Sequence, residues 1–142
     1  MKEILADTVG TARAFAREKG VTVVLKDAHT VIAGPDGSVY LCAAGNAGMA
    51  KGGSGDVLAG IIGSLLVQNR GRLAPDNADK AAENGITVTE CAAAGVLLHA
   101  MAGDAAAETL GESGMLASDV VNAIPLVTKG FSDSGTTIEL MI

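Results

Sequence analysis

The chain has 142 residues, which is long enough for one domain with a real core. Its formal net charge is −6 and its ten Lys and Arg residues are scattered, so the sequence contains neither a nucleic-acid-binding patch nor a basic membrane helix. No apolar run is long enough to span a bilayer, and the first ten residues lack the apolar region of a signal peptide. We therefore expect a protein without nucleic-acid or membrane partners.

The two cysteines, Cys42 and Cys91, are far apart and form no CxxC or metal-spaced set. Cys91 also opens an apolar run, as a buried structural cysteine does. Such usage is typical of a reducing compartment, so we expect a cytoplasmic location.

The first third of the chain alternates helical and strand patterns. Asp7 can cap a helix over "TVGTARAFAREKG" that ends at Gly20. The β-branched run "VTVVLK" indicates a buried strand, and "HTVIAG" and "SVYLCAA" flank "PDG", the composition of a hairpin turn.

The segment "NAGMAKGGSGDVLAG", residues 46–60, contains five glycines and leads into apolar residues at helical spacing. A glycine loop at a helix start exposes unpaired amides and the positive end of the helix dipole, so it favours anion binding. Asp56 is unexpected there, because a carboxylate repels an anion. Either it is an ordinary N-cap or it has a chemical role.

The remaining chain is mainly helical. The polar segment "RGRLAPDNADKAAENG" is expected to be a connection of low order, and "TVTECAAAGVLLHAMAGDAAAETLG" a long helix whose small residues allow close packing. "LASDVVNAIP" is expected to form a short last helix capped by Ser118. The order of the elements indicates an α/β layered domain.

Two features suggest that more chain belongs to this domain. A helix with the character of a crossover comes first, without a strand before it, and the mean hydropathy of +0.38 is high for a small monomer. We expect these residues to be the C-terminal part of a larger protein. Because an exposed sheet edge promotes pairing, we also expect self-association, with a homo-oligomer as the product.

Three segments carry a family resemblance: "VVLKDAHTVIAGPDG", "NAGMAKGGSGDVLAGII" and "AAAGVLLHAMAGDAAAETLGESGMLASDV". Their order and spacing, from about Val21 to Pro125, resemble the C-terminal half of the ADP/ATP-dependent NAD(P)H-hydrate dehydratases. The resemblance implies a ribokinase-like α/β fold with a mainly parallel sheet between helices. Residues 1–142 are then one partial domain, with the tail 129–142 unassigned.

The resemblance also implies a reaction. The (6S)-hydrate of NADH or NADPH is dehydrated at the expense of ADP or ATP, by phosphoryl transfer to the C6 hydroxyl and loss of phosphate. Mg²⁺ is expected to arrive with the nucleotide phosphates, because the aspartates of this chain lack a convincing metal-ligand spacing and no protein metal site is expected.

Site residues follow by matching the family's motifs. Asp56 is implied as the general base that takes the hydroxyl proton, and as a substrate contact. The amides of the glycine loop are implied to hold the charge of the transferring phosphoryl group. The residues expected to bind the nucleotide are Lys26, Asp27, Ala28, His29, Thr30, Gly53, Ser54 and Gly55; glycine is more usual in the family than Asp27.

Four assignments stay open at this stage. Lys26 is either a nucleotide ligand or a solvated strand-end lysine. Asn46 either contacts substrate, phosphate or metal or, as we favour, shapes its loop, and Lys51 either binds an anion or is solvated. His99 and Asp104 match "HxxAGD", and we favour packing and capping over catalysis.

Two other functions remain possible from the sequence alone. One is a small-molecule kinase of the same fold that phosphorylates a sugar or vitamin alcohol. The other is a catalytically silent module that binds nucleotide or a partner. The longer motifs favour the dehydratase over both.

Overall fold

The computed structural model describes residues 7–74 and 85–133. Helix α1, Thr8–Lys19, begins as predicted, with the Asp7 carboxylate accepting the Gly10 N–H at 2.7 Å. It ends at Gly20, which adopts the left-handed conformation with φ of 65°. Both helix ends are thus encoded locally.

A three-stranded antiparallel sheet follows in the order β1-β2-β3. The strands are β1, Val23–Leu25, β2, Thr30–Ala33, and β3, Val39–Cys42. The predicted hairpin between β2 and β3 is confirmed. In its turn, the Ser38 hydroxyl and amide donate to Asp36, which holds the pKa of that carboxyl below its usual value.

The two faces of β2 bury different layers, because successive strand side chains point in opposite directions. Val31 and Ala33 pack with α1. Ile32 points the other way and packs against the helices described next. The sheet is therefore covered on both faces, as a layered α/β domain requires.

Three longer helices complete the described structure: α2, Ser54–Gln68, α3, Val88–Leu110, and α4, Ala117–Asp133. A short parallel pair, β4, Leu73–Ala74, and β5, Ile86–Thr87, leads into α3. The long alanine-rich helix is confirmed. Its small residues do allow close packing, since a Cβ at Gly95 would lie 2.7 Å from Ile62 Cγ1 on α2.

The last helix differs from the prediction in start and length. It begins at Ala117, so Ser118 lies inside it, and the cap role predicted for Ser118 was wrong. The Asp119 carboxylate instead accepts the Leu116 N–H at 2.7 Å. The helix also continues past Pro125 to Asp133, because Ile124 and Val127 extend its apolar face against the core around α3.

Other sequence predictions fall partly outside the described structure. Residues 75–84 of the predicted low-order connection and residues 134–142 of the tail are not described. Among the described strands only β4 and β5 pair in parallel, whereas the resemblance implied a mainly parallel sheet for the whole fold. In the described ranges, no helix combines the length and hydropathy needed to cross a membrane.

Candidate nucleotide and phosphoryl-transfer site

A cleft of about 770 Å³ opens between the β1–β2 turn, the loop after β3, the start of α2 and the middle of α3. Its volume is in the usual range for small-molecule sites. It brings together most of the residues predicted from two separate motifs. Those that line it are Lys26, Asp27, Ala28, Thr30, Asn46, Ser54 and Gly55.

Three predicted residues do not line this cleft: His29, Gly53 and Asp56. His29 is exposed in the β1–β2 turn. Gly53 is the N-cap of α2 with φ of 87°, and a Cβ there would lie 3.2 Å from Ala117 Cβ. The back of the glycine loop therefore rests against the start of α4.

Asp56 is exposed in the first turn of α2, one residue beyond the cleft-lining Gly55. Because Gly53 holds the N-cap position, Asp56 is not the cap that the simpler interpretation proposed. No acceptor or donor contacts its side chain in the described part of the chain. An acid in the first helical turn is stabilised by the helix dipole.

The glycine loop presents unpaired amides. The first hydrogen bond of α2 runs from the Val57 N–H to the Gly53 carbonyl at 3.1 Å. The Gly55 and Asp56 amides precede it, and neither has an acceptor within residues 7–74 and 85–133. These are the free donors that a helix start offers to an anion.

His99 supports this helix start from α3. Its Nε2 lies 3.3 Å from Ser54 Oγ, and both side chains are buried. Burial, and then the positive charge of Lys26, lower the pKa of His99 below its usual value. The imidazole is therefore neutral near pH 7 and contributes a hydrogen bond rather than a charge.

Asp104, also on α3, fixes the loop before the glycines. Its carboxylate accepts the Gly45 N–H at 3.0 Å and the Asn46 Nδ2–H at 2.9 Å. The Asn46 Oδ1 then accepts the Gly48 N–H at 3.0 Å. Both polar ends of Asn46 are thus engaged in shaping its loop.

The sequence left Lys51 either bound to an anion or solvated, and the structure shows a third environment. Its Nζ donates to the carbonyls of Glu112 at 3.3 Å and Ser113 at 2.9 Å, and to that of Met115. These residues connect α3 to α4. A Cβ at Gly48 would lie 2.5 Å from the Glu112 carbonyl, so the loop and this connection approach closely at two points.

Sequence reasoning missed the apolar wall of the cleft. Cys42, Leu58, Val96 and Ala100 line it together with His99. These residues lie in apolar runs of the sequence, but no local signal shows which buried residues border a cavity. Among the described residues no group of three or more His, Cys, Asp or Glu is placed to hold a metal ion.

A family model described as NAD(P)H-hydrate dehydratase matches residues 1–126. This match covers more than half of the chain. The chain belongs to the NAD(P)H-hydrate dehydratase family.

Curated members of the NAD(P)H-hydrate dehydratase family are clearly similar in sequence. A bifunctional NAD(P)H-hydrate repair enzyme of Moorella thermoacetica is 39% identical over 136 residues, 96% of this chain and 23% of that protein. An ADP-dependent (S)-NAD(P)H-hydrate dehydratase of Neisseria meningitidis is 40% identical over 122 residues, 85% of this chain and 36% of that protein.

A solved NAD(P)H-hydrate dehydratase shares the fold. The Bacillus subtilis ADP/ATP-dependent enzyme, co-crystallised with ATP and Mg²⁺ and soaked with CoA, superposes with a TM-score of 0.72 at 28% identity. The match covers 92% of this chain and 42% of that one. The predicted α/β carbohydrate-kinase-like fold is thereby confirmed, and this chain spans well under half the length of these relatives.

Proposed function

We propose that the full-length protein is a dehydratase that repairs the (6S)-hydrate of NADH or NADPH at the expense of ADP or ATP. The observation that carries the proposal is the cleft that joins the "KDAHT" turn to the start of α2. Lys26 and Gly55 both line this one space, whose volume is large enough for an adenine nucleotide. Membership in the NAD(P)H-hydrate dehydratase family supports a hydrated dinucleotide as the substrate of this site.

The nucleotide is expected to lie in the cleft with its phosphates toward α2. Free amides and the helix dipole favour phosphate at that end, while Leu58, Val96 and Ala100 provide an apolar wall. The names of the Neisseria and Bacillus relatives support use of ADP or ATP. Mg²⁺ would accompany the phosphates and neutralise part of their charge.

Asp56 is proposed as the general base. It is exposed, follows the cleft-lining Gly55 and does not itself line the cleft, so the hydrate is expected to approach the terminal phosphate from the solvent side of this helix start. The carboxylate takes the proton of the C6 hydroxyl as that oxygen bonds to phosphorus and the nucleotide leaves. Loss of phosphate from C6 and of a proton from the adjacent C5 then forms the C5–C6 double bond and restores the dihydronicotinamide ring.

One assay tests the proposed reaction. Purified full-length protein is mixed with NADH hydrate or NADPH hydrate, Mg²⁺ and either ADP or ATP, and the return of the dihydronicotinamide absorbance is followed. We expect recovery that requires nucleotide. Nucleotide binding without recovery on either hydrate would contradict the dehydratase and favour a kinase for another alcohol; absence of binding would contradict both.

A further inference from the structure

Lys51 stands at the junction of the glycine loop and the connection between α3 and α4. It comes two residues before the N-cap of α2, and the Ser54 amide donates to its backbone carbonyl at 3.3 Å. Its own side chain reaches the carbonyls of Glu112, Ser113 and Met115, more than sixty residues away in sequence. One residue therefore links two loops through its two ends.

The ammonium group has three N–H donors and no acceptor. Three carbonyl oxygens surround it, so each donor has a protein partner and none remains for a phosphate. Lys51 lines the cleft, yet its three hydrogen-bond acceptors belong to residues that do not line it. Its location near the C-terminal end of α3, where carbonyls carry partial negative charge, further favours this placement.

The linked connection is itself well ordered by short-range contacts. The Gly114 and Met115 amides donate to the Gly111 carbonyl at 3.1 and 3.2 Å, and the Met115 side chain is buried. A Cβ at Gly48 would lie 2.6 Å from Met115 Sδ. The glycine loop thus packs against an ordered connection, and the Lys51 side chain makes the charged contact between this loop and that connection.

We propose that Lys51 is a positioning residue: by binding the carbonyls of Glu112, Ser113 and Met115 it fixes the glycine loop, and so holds the free Gly55 amide in place for a nucleotide phosphate. This inference rests on the proposed nucleotide site. It assigns Lys51 no direct contact with the ligand. Lys51 affects nucleotide binding only through the position of the glycine-loop backbone.

The test uses full-length protein with Lys51→Met, which keeps the aliphatic length and removes the donors, and Lys51→Arg, which keeps the charge. Three carbonyl oxygens can converge on a compact ammonium group. The donors of a planar guanidinium point outward in one plane, so it cannot reproduce that arrangement. Lys129→Met, which removes an exposed lysine on α4, is the matched control. Amide hydrogen exchange is measured without ligand, and ADP and ATP dissociation constants are measured with Mg²⁺.

For Lys51→Met we expect amide exchange about tenfold faster or more at both Gly114 and Ser54. Charged hydrogen bonds are strong, and both the α3–α4 connection and the glycine loop lose the bonds that join them. Nucleotide dissociation constants should rise about fivefold or more, and Lys51→Arg should restore neither fully. Lys129→Met should match the parent.

Two results would overturn the positioning role. Unchanged exchange at Ser54 would mean that Lys51 supports only the distant connection. Full recovery of affinity in Lys51→Arg with exchange still fast would mean that charge alone matters. If the parent bound neither ADP nor ATP, the nucleotide site would fail, and exchange at Ser54 would still decide whether Lys51 fixes the loop.

Discussion

His99 Nε2 on α3 lies 3.3 Å from Ser54 Oγ, in the first turn of α2. This contact joins the centre of the longest helix to the start of the glycine-loop helix, 45 residues away in sequence. Asp104 and the α3–α4 connection make two further attachments to the same loop. Helix α3 is thus the frame on which the candidate site is built.

Stability should depend on the protonation of His99. Burial lowers its pKa in the folded state, so below its unfolded pKa of about 6.5 the unfolded chain binds more protons. Its stabilising effect is therefore complete above that pH and is lost as pH falls toward the folded pKa. Denaturant unfolding at pH 7.5, 6.5 and 5.5 should show falling stability, and His99→Gln should flatten the trend.

One variant and one separate pH window serve as controls for the His99 prediction. His29→Gln changes the other histidine, which lies in an exposed turn, and should leave the slope intact. The depressed pKa of Asp36 acts in a separate window, below about pH 4. An unchanged slope in His99→Gln would show that another group governs the pH dependence.

Asp104→Asn should destabilise the loop before the glycines. The substitution places an NH₂ group against one of two donors, the Gly45 N–H or Asn46 Nδ2. Asn46 cannot relieve this by turning its amide, because its Oδ1 already accepts the Gly48 N–H. We expect a loss of about 1–3 kcal/mol in the free energy of unfolding.

Asp119→Asn is the matched control for Asp104→Asn. Asp119 accepts a single N–H, from Leu116, and the remaining oxygen of asparagine can still accept it. Its loss should stay below about 1 kcal/mol. Equal losses of unfolding free energy in the two variants would mean that the second hydrogen bond accepted by Asp104 adds no stability.

Gly55→Ala separates folding from nucleotide binding. A Cβ at Gly55 meets no atom within 4 Å, and glycine is unfavourable in a helix, so stability should hold or rise by up to about 1 kcal/mol. Because Gly55 lines the cleft, the added methyl group should hinder close approach of a phosphate and lower ADP and ATP affinity about tenfold. Thermal shift and calorimetry measure the two effects.

Gly63→Ala provides the comparison on the same helix. Its Cβ is also free of contacts within 4 Å, and Gly63 is exposed outside the cleft. It should gain the same stability and keep parental affinity. If Gly55→Ala bound nucleotide as tightly as Gly63→Ala, phosphate would not approach the backbone at Gly55.

The sequence predicts the elements whose signals are local. Asp7 and Gly20 bound α1, the "PDG" turn sets the hairpin, and the alanine-rich pattern predicts α3. Pro125 misled the prediction of α4, because a proline usually ends a helix and only tertiary packing shows why this one continues.

Most of the residues that the motifs predicted do line the cleft, because "KDAHT" and "GGSG" each carry recognisable chemistry. The partners that hold those motifs could not be predicted. His99–Ser54, Asp104–Asn46 and the contacts of Lys51 join residues 45 to 64 positions apart. Lys51 is the clearest case, since backbone carbonyls are its partners and any residue type supplies a carbonyl.

Asp56 is proposed to act as the general base of an NAD(P)H-hydrate dehydratase. The most direct test compares turnover and nucleotide dissociation constant for Asp56→Asn in the full-length protein. The amide has nearly the same shape and cannot accept the proton, so turnover should fall about 10²- to 10⁴-fold. Nucleotide affinity should stay equal or become slightly tighter, because a negative charge near the phosphates is removed. Turnover close to that of the parent, with folding and affinity intact, would contradict the general-base role of Asp56.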